Sequence, residues 1–223
     1  MTINQIKFPI YMTCIILAFI GACVFIYKYL MNKKIKKKDI LLYVSMIVPF
    51  GLLGSLIVCY IIDKNMGLSS YIGCFVLILT SIFYEKINPS KNLEYVRCTM
   101  LSMPLLYGIS KLGCFFAGCC YGLPYNGIFS VTYSSGLNIP LFPIQLLESL
   151  VFIGLFIGLL FINKKHSKNI ISITIIVCAF AKFALDFLRY DHLTKVITTN
   201  QIISLMLLFI VIVNMIRKKL LNK

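Results

Sequence analysis

The stretch that decides the fold is FPIYMTCIILAFIGACVFIYKYL, from Phe8 to Leu30, which is followed at once by the lysine-rich segment Lys33 to Lys38. Crossing about 30 Å of hydrocarbon takes roughly 20 residues of helix, so this run can span a bilayer. It lacks a small-residue cleavage site, and we therefore expect a retained helix rather than a signal peptide. Six further segments predict membrane spans in the same way: Ile40 to Ile62, Gly67 to Tyr84, Cys98 to Gly118, Phe142 to Ile162, Ile170 to Leu188 and Ile197 to Met215.

The composition agrees with a chain that has lipid as its solvent. Hydrophobic residues make up 60% of the 223 residues, more than a soluble domain of this size can bury. We therefore expect an all-α, polytopic integral membrane protein with about seven transmembrane helices, forming a single transmembrane domain over residues 1–223. The net charge of +15 comes from short basic clusters between apolar runs, a pattern that sets membrane orientation and argues against a nucleic-acid partner.

The basic residues predict the orientation of these spans. Fifteen of the 22 fall into four clusters, which follow the first, third, fifth and seventh spans. Because positively charged loops face the cytoplasm, the N-terminus is expected outside and the C-terminus inside. The segment from Cys119 to Leu141 has no Lys or Arg and would form an extracytoplasmic loop.

Ionisable residues inside predicted spans mark a candidate site, because a charge within a membrane is costly and is a functional hypothesis by default. Counting 1.5 Å per helical residue places all of them in the outer half of the bilayer. Lys182, Asp186 and Arg189 share one face of the sixth span through their i, i+4, i+7 spacing. The others come from three further spans: Tyr71, Lys111 and Glu148, with Gln145 one turn from Glu148.

Two interpretations of these charges stay open at this point. In the first, Lys182 neutralises Asp186 and Glu148 pairs with Lys111, so that the pairs only lock helices together. In the second, they line a polar cavity open to the outer leaflet, where cations suit a phosphate group and a carboxylate can accept a proton. A conduction pathway is disfavoured, because the cytoplasmic halves of the fifth and sixth spans are almost entirely apolar.

Four motifs, in order, resemble those of bacterial prolipoprotein diacylglyceryl transferases. The segment GISKLGCFFAGCCYGLP, from Gly108 to Pro124, resembles the signature G-R-x-G-C/N-F-x-x-G-x-x-Y/W-G-R-P. GLSSYIG (Gly67 to Gly73) is similar to a glycine-flanked histidine motif, and FPIQLLES (Phe142 to Ser149) to H-P-x-Q-L-Y-E. KFALDFLRYD (Lys182 to Asp191) resembles R-F-x-x-E-F-x-R-x-D, and Gln201 and Ser204 supply the Gln-x-x-Ser that follows it.

The resemblance implies an enzyme of the bacterial cell membrane whose active side faces outward. It would transfer a diacylglyceryl group from phosphatidylglycerol, or a similar anionic phospholipid, to the thiol of a lipobox cysteine in a secreted precursor, with no cofactor. Lys111, Lys182 and Arg189 match basic positions that would stabilise the departing phosphate. Glu148, Asp186 or Tyr71 would help to deprotonate the thiol. Substrate-binding roles would fall to Arg189, Gly118, Gly122, Gln145 and Gln201, although helix packing is the alternative for the two glycines.

Several positions depart from the family pattern. Lys111 and Lys182 replace arginines and lack the bidentate guanidinium fork, and Leu123 replaces the arginine of G-R-P. Tyr71 and Phe142 replace histidines, the residues that exchange protons near neutral pH. A different lipid or acceptor, and a silent relative that only binds them, are therefore alternatives.

Two remaining groups of residues are expected to be structural. His166 and His192 fall in predicted loops; for His192 a solvated side chain is expected, and a proton-handling role is the alternative. Cys114, Cys119 and Cys120 form one cluster without a histidine, so we expect packing and no metal.

Overall fold

Seven helices form the described part of the chain, which in this computed structural model comprises residues 2–3, 9–63, 70–91, 93–133, 137–165 and 169–221. The helices are α1 (Pro9–Asn32), α2 (Lys37–Asp63), α3 (Ser70–Ile87), α4 (Glu94–Ala117), α5 (Ile144–Lys165), α6 (Ile170–Asp186) and α7 (Thr199–Leu221). Each lies on one of the seven predicted segments. The all-helical class is therefore confirmed.

Four of these helices are long and apolar enough to cross a membrane. They are α1, α4, α5 as far as Lys164, and α7 as far as Arg217. Large apolar side chains on α7 are exposed, including Phe209 at 70% and Met206 at 59%. Such side chains suit contact with lipid tails, so the helices are consistent with a membrane protein.

The described chain divides into two compact units, and the predicted single domain stays a prediction. One unit comprises residues 19–106 and has its core between α2 and α3 and the adjoining halves of α1 and α4. Tyr43, Tyr84 and Tyr95 pack there with ring centroids 4.9 Å apart. The Tyr43 hydroxyl donates to Ser81 Oγ at 2.9 Å and also contacts Thr99. Burial of these three hydroxyl groups is thus matched by hydrogen bonds.

The other unit comprises residues 1–18 and 107–223, and it holds α5, α6 and α7. Here β1 (Thr2–Ile3) pairs in parallel with β2 (Thr132–Tyr133), within the segment that connects α4 to α5. A small apolar cluster of Phe115, Val131, Tyr133 and Leu141 anchors this segment. Burial also raises the pKa of the Tyr133 phenol, which therefore stays neutral at physiological pH.

Two chain segments run side by side where α4 and α6 end. The Tyr190 amide donates to the Tyr121 carbonyl, and the Leu123 amide donates to the Leu188 carbonyl, both at 3.0 Å. Gly122, between them, faces Arg189 in an antiparallel bridge. A Cβ at Gly122 would collide with the carbonyl oxygen of Phe142, so only glycine fits this approach. This pairing fixes Arg189 against the end of α4.

Candidate functional site: a buried cluster of charges

Glu148 lies at the centre of the site and is fully buried in the first turns of α5. Three cations meet its carboxylate. Lys111 Nζ of α4 is 3.1 Å from Oε2, and Lys182 Nζ of α6 is 2.7 Å from Oε1. Arg189 uses Nη2 to donate to both oxygens, at 2.9 and 3.0 Å. Charge-assisted hydrogen bonds of this kind are short and strong, and here they join three elements of one unit at a single side chain.

Tyr107 lies between the two lysines. Its hydroxyl donates to Glu148 Oε1 at 3.2 Å, and its ring lies 5.1 Å from Lys111 Nζ and 5.4 Å from Lys182 Nζ. The face of an aromatic ring attracts cations, so Tyr107 holds both ammonium groups without neutralising them. Sequence analysis missed this residue, although its position one turn before Lys111 on α4 is a signal that could have found it.

Asp186 forms a second centre at the end of α6 and is also fully buried. It accepts hydrogen bonds from the Thr198 hydroxyl and from Asn200 Nδ2, the latter at 3.2 Å. Its Oδ1 lies 3.4 Å from Arg189 Nε and 3.7 Å from Lys182 Nζ. Lys182 and Arg189 thus bridge the two carboxylates and make one connected network.

The network carries more positive than negative charge. Two carboxylates, Glu148 and Asp186, face three cations, and all five side chains are buried. Burying an unbalanced charge is unfavourable unless something compensates it. The cluster is therefore suited to receive an anion.

The structure brings together five of the predicted site residues: Lys111, Glu148, Lys182, Asp186 and Arg189. Both pairings of the helix-locking alternative occur, but Glu148 also binds Lys182 and Arg189, which that alternative did not foresee. Tyr71 lies half-buried in the first turn of α3, in the other unit, and its role stays a prediction. The start of its motif, Gly67 to Ser69, lies outside the described residues.

The two predicted glutamines each keep one unused polar atom. Gln145 is buried and donates from Nε2 to the Cys119 carbonyl at 2.7 Å, and Gln201 accepts from the Thr198 amide at 3.1 Å. Within the described chain, Gln145 Oε1 and Gln201 Nε2 have no hydrogen-bond partner. Buried polar atoms usually have one, so these two are candidates for ligand contacts.

The structure gives both predicted glycines a local role. Gly118 ends α4 with φ 61°, the left-handed conformation of a helix C-cap, and Gly122 permits the close approach to Phe142. A substrate-binding role for either stays a prediction.

The expectation that His192 is solvated is wrong. Its side chain is only 10% exposed and stacks on Phe187, with ring centroids 5.1 Å apart. Nε2 lies 3.9 Å from Asp186 Oδ2 and has no hydrogen-bond partner among the described residues. The short 3-10 helix Tyr190–Leu193 turns the chain back and carries this side chain towards Asp186, which sequence spacing does not reveal. His166 lies outside the described residues.

The three cysteines at the end of α4 are the group in the described chain that could hold a metal ion. The Sγ atoms of Cys114, Cys119 and Cys120 all lie within 4.8 Å of one another. The sequence predicts only packing for them. It does not show that the chain reverses after α4 and brings the three thiols together.

The fold and the site together define a helical protein with membrane-type apolar helices and a buried, net cationic cluster. The family model described as prolipoprotein diacylglyceryl transferase matches residues 1–217, and the chain belongs to that family. The predicted resemblance is thereby confirmed. The apolar helices and the bacterial relatives together indicate a membrane protein of bacteria.

Three curated relatives carry the name phosphatidylglycerol–prolipoprotein diacylglyceryl transferase. The protein of Clostridium tetani (strain Massachusetts / E88) is 32% identical over 131 residues, covering 54% of this chain and 53% of its own. Protein 2 of Clostridium perfringens (strain 13 / Type A) is 29% identical, covering 52% and 48%. That of Clostridioides difficile (strain 630) is 27% identical, covering 71% and 69%. The chain spans about half the length of the first two relatives.

We predict that Glu148→Gln destabilises the protein sharply, because it leaves three buried cations without their shared carboxylate. Removing one partner of a buried ion pair costs about 3–5 kcal/mol. At roughly 2–4 °C per kcal/mol for a chain of this size, the unfolding midpoint in detergent should fall by about 10 °C. Thermal unfolding of the purified variant measures this.

The double variant Glu148→Gln/Lys182→Met should regain part of the lost midpoint, because it removes one uncompensated charge. Asp191→Asn, at an exposed carboxylate, is the control and should leave the midpoint unchanged. An unchanged midpoint in Glu148→Gln would contradict the central role given to this side chain.

Proposed function

We propose that this chain transfers a diacylglyceryl group from phosphatidylglycerol, or a similar anionic phospholipid, to the thiol of a lipobox cysteine in a precursor protein. The observation that carries the proposal is the convergence of Lys111, Lys182 and Arg189 on Glu148. Membership of the family and the names of the relatives support the reaction and both substrates.

The reaction asks two things of the site. A thiolate sulfur attacks the glyceryl carbon that bears the phosphate, and the carbon–oxygen bond breaks, so that glycerol phosphate leaves with the bonding electrons. The cations stabilise the negative charge that this leaving group carries. Glu148 fixes the positions of their side chains, so little reorganisation is needed when the phosphate binds. Gln201 Nε2 supplies a further donor.

The proton of the thiol needs an acceptor, and among the described residues the geometry favours His192. Glu148 and Asp186, the carboxylates expected for this role, are already held by cations or by the Thr198 and Asn200 donors. His192 points an unpartnered Nε2 towards Asp186, which would stabilise the imidazolium. A carboxylate beside a histidine is the usual arrangement of a general base.

We also infer that all seven helices cross the cell membrane, with the N-terminus outside and the C-terminus inside. The four basic clusters support this orientation, as does the assembly of the buried charges at the ends of α4 and α6 and the start of α5. The connecting segment between α4 and α5 would then face outward, and the site would open to the outer leaflet.

Complementation tests the proposed activity. Expressed in cells depleted of their own transferase, the chain should restore lipid modification of a precursor, measured by incorporation of labelled fatty acid. Lys111→Met and Lys182→Met should each abolish modification, whereas Lys111→Arg and Lys182→Arg should preserve or raise it, because they retain the charge and add a fork.

Lys164→Met is the matched control, because this exposed lysine lies on α5 away from the cluster, and it should retain full activity. Absence of modification by the well-expressed wild-type chain would overturn the proposed function. Full activity of the Lys111→Met/Lys182→Met variant would overturn the phosphate-binding role.

Substitution of His192 tests the proton acceptor. His192→Gln should lower kcat by about 10²–10⁴-fold with little change in KM, because general-base assistance is of that size. His166→Gln is the control; a kcat of His192→Gln equal to that of the wild type would argue against this role.

Reporter fusions test the orientation. Alkaline phosphatase, which folds only outside the cytoplasm, should be active when fused after Asn126. Green fluorescent protein should be fluorescent when fused after Lys91 or at the C-terminus. The reverse pattern would contradict the proposed topology.

A further inference from the structure

The cysteine cluster at the end of α4 has the dimensions of a metal site. A tetrahedral zinc ion holds thiolates at about 2.3 Å, which places their sulfurs roughly 3.8 Å apart. The sulfurs of Cys114, Cys119 and Cys120 already lie within 4.8 Å of one another, and all three are free thiols. Small side-chain rotations are therefore enough to close the site.

The backbone is shaped to bring these thiols together. After Gly118 reverses the chain, the Cys119 amide donates to the Cys114 carbonyl at 3.2 Å. Cys120 then adopts φ 56°, a left-handed conformation that is unfavourable for a residue with a side chain. Strain of this kind is found at functional sites, where the surroundings enforce it. Gln145 holds the turn through the Cys119 carbonyl.

Charge and exposure favour three thiolates with one position left open. Zinc with three thiolates carries one negative charge, and Lys111 lies one helical turn before Cys114 on the same face of α4. Cys114 is buried, Cys119 is half-buried and Cys120 is exposed, so a ligand can approach from one side. Among the described residues the cluster contains no fourth ligand. Three protein ligands with an open fourth position are the pattern of catalytic zinc.

We propose that Cys114, Cys119 and Cys120 bind Zn²⁺ and that the precursor's cysteine thiol is its fourth ligand. The second half of this statement rests on the proposed function. On binding zinc the thiol loses its proton, which passes to His192, the acceptor inferred above. The zinc-bound sulfur then forms the bond to the glyceryl carbon as the bond to the phosphate oxygen breaks. The thioether product is a weaker ligand than the thiolate and leaves the metal.

The position of the cluster agrees with this step. Cys120 directly precedes Tyr121, whose carbonyl accepts a hydrogen bond from the Tyr190 amide. His192 lies two residues after Tyr190. Lys111 belongs both to the face of α4 that carries Cys114 and to the carboxylate network of Glu148. A phosphate held by the cations and a thiol held by zinc would therefore be neighbours.

Cobalt substitution tests the metal site without any need for activity. The purified full-length chain, loaded with Co²⁺ under reducing conditions, should show thiolate-to-cobalt charge-transfer absorption for a single bound ion. Cys114→Ser, Cys119→Ser and Cys120→Ser should each weaken binding by at least about 10- to 100-fold. Cys23→Ser, at a half-buried cysteine of α1, is the matched control and should bind as the wild type does.

If a variant fails to fold, the metal content of the wild-type protein still tests the site. Its zinc content after purification, measured by mass spectrometry, should match one ion per chain. Absence of both zinc and cobalt absorption, or a native disulfide between two of the three cysteines, would overturn the site. Copper in place of zinc would overturn the proposed identity of the metal.

A lipobox peptide tests the fourth ligand. Added to the cobalt-loaded protein, a peptide with the cysteine should shift the visible absorption, and the same peptide with serine should not. Equal spectra with the two peptides would overturn the thiol as a ligand while leaving the metal site intact. Because neither arm needs lipid or turnover, a failed complementation would bear on the proposed function alone.

Discussion

The carboxylate of Glu148 is the interaction on which the rest of the site depends. Lys111, Lys182 and Arg189 repel one another, and without an anion among them they could not be buried within a few ångströms. One carboxylate has two oxygens and so can hold all three through separate hydrogen bonds. It cannot neutralise them, and Asp186 makes up only part of the difference. The site therefore keeps a net positive charge, because three cations face only two carboxylates.

The constraint extends from the side chains to the backbone. Arg189 lies beyond the last turn of α6, so the hydrogen bonds of that helix do not fix its backbone. The bridge to Gly122, with its two flanking hydrogen bonds, ties Arg189 to the segment that leaves α4. The glycine at that point is required by the carbonyl of Phe142. A motif position that looks like a lipid contact in the sequence thus also serves to fix a cation.

The sequence predicts helices much better than it predicts contacts. Apolar run length placed all seven helices, with the sixth predicted as Ile170 to Leu188 and found as Ile170–Asp186. The i, i+4 spacing also placed Lys182 and Asp186 on one face. The helical position predicted for Arg189 is wrong, because α6 ends at Asp186 and Arg189 is extended in the bridge to Gly122. The local sequence, however, does not predict that Lys111 and Lys182 share one carboxylate on a third helix, because that contact depends on how the helices pack. The tyrosine at position 107 was overlooked for the same reason.

His192 and the cysteines show why loops are harder still. From the sequence, His192 is expected to be a solvated loop residue, and the thiols are expected to pack, Cys114 in the fourth span and Cys119 and Cys120 in the loop after it. In the structure the 3-10 helix turns the His192 side chain towards Asp186, and the reversal through Gly118 and the left-handed Cys120 brings the three thiols together. The family pattern offers histidines at two positions where this chain has Tyr71 and Phe142. Under the proposed function, a chain that lacks them needs another way to make a thiolate, and His192 and the three thiols lie on the two segments that meet beside Arg189. The departures from the pattern and the shape of these turns are then parts of one chemical arrangement.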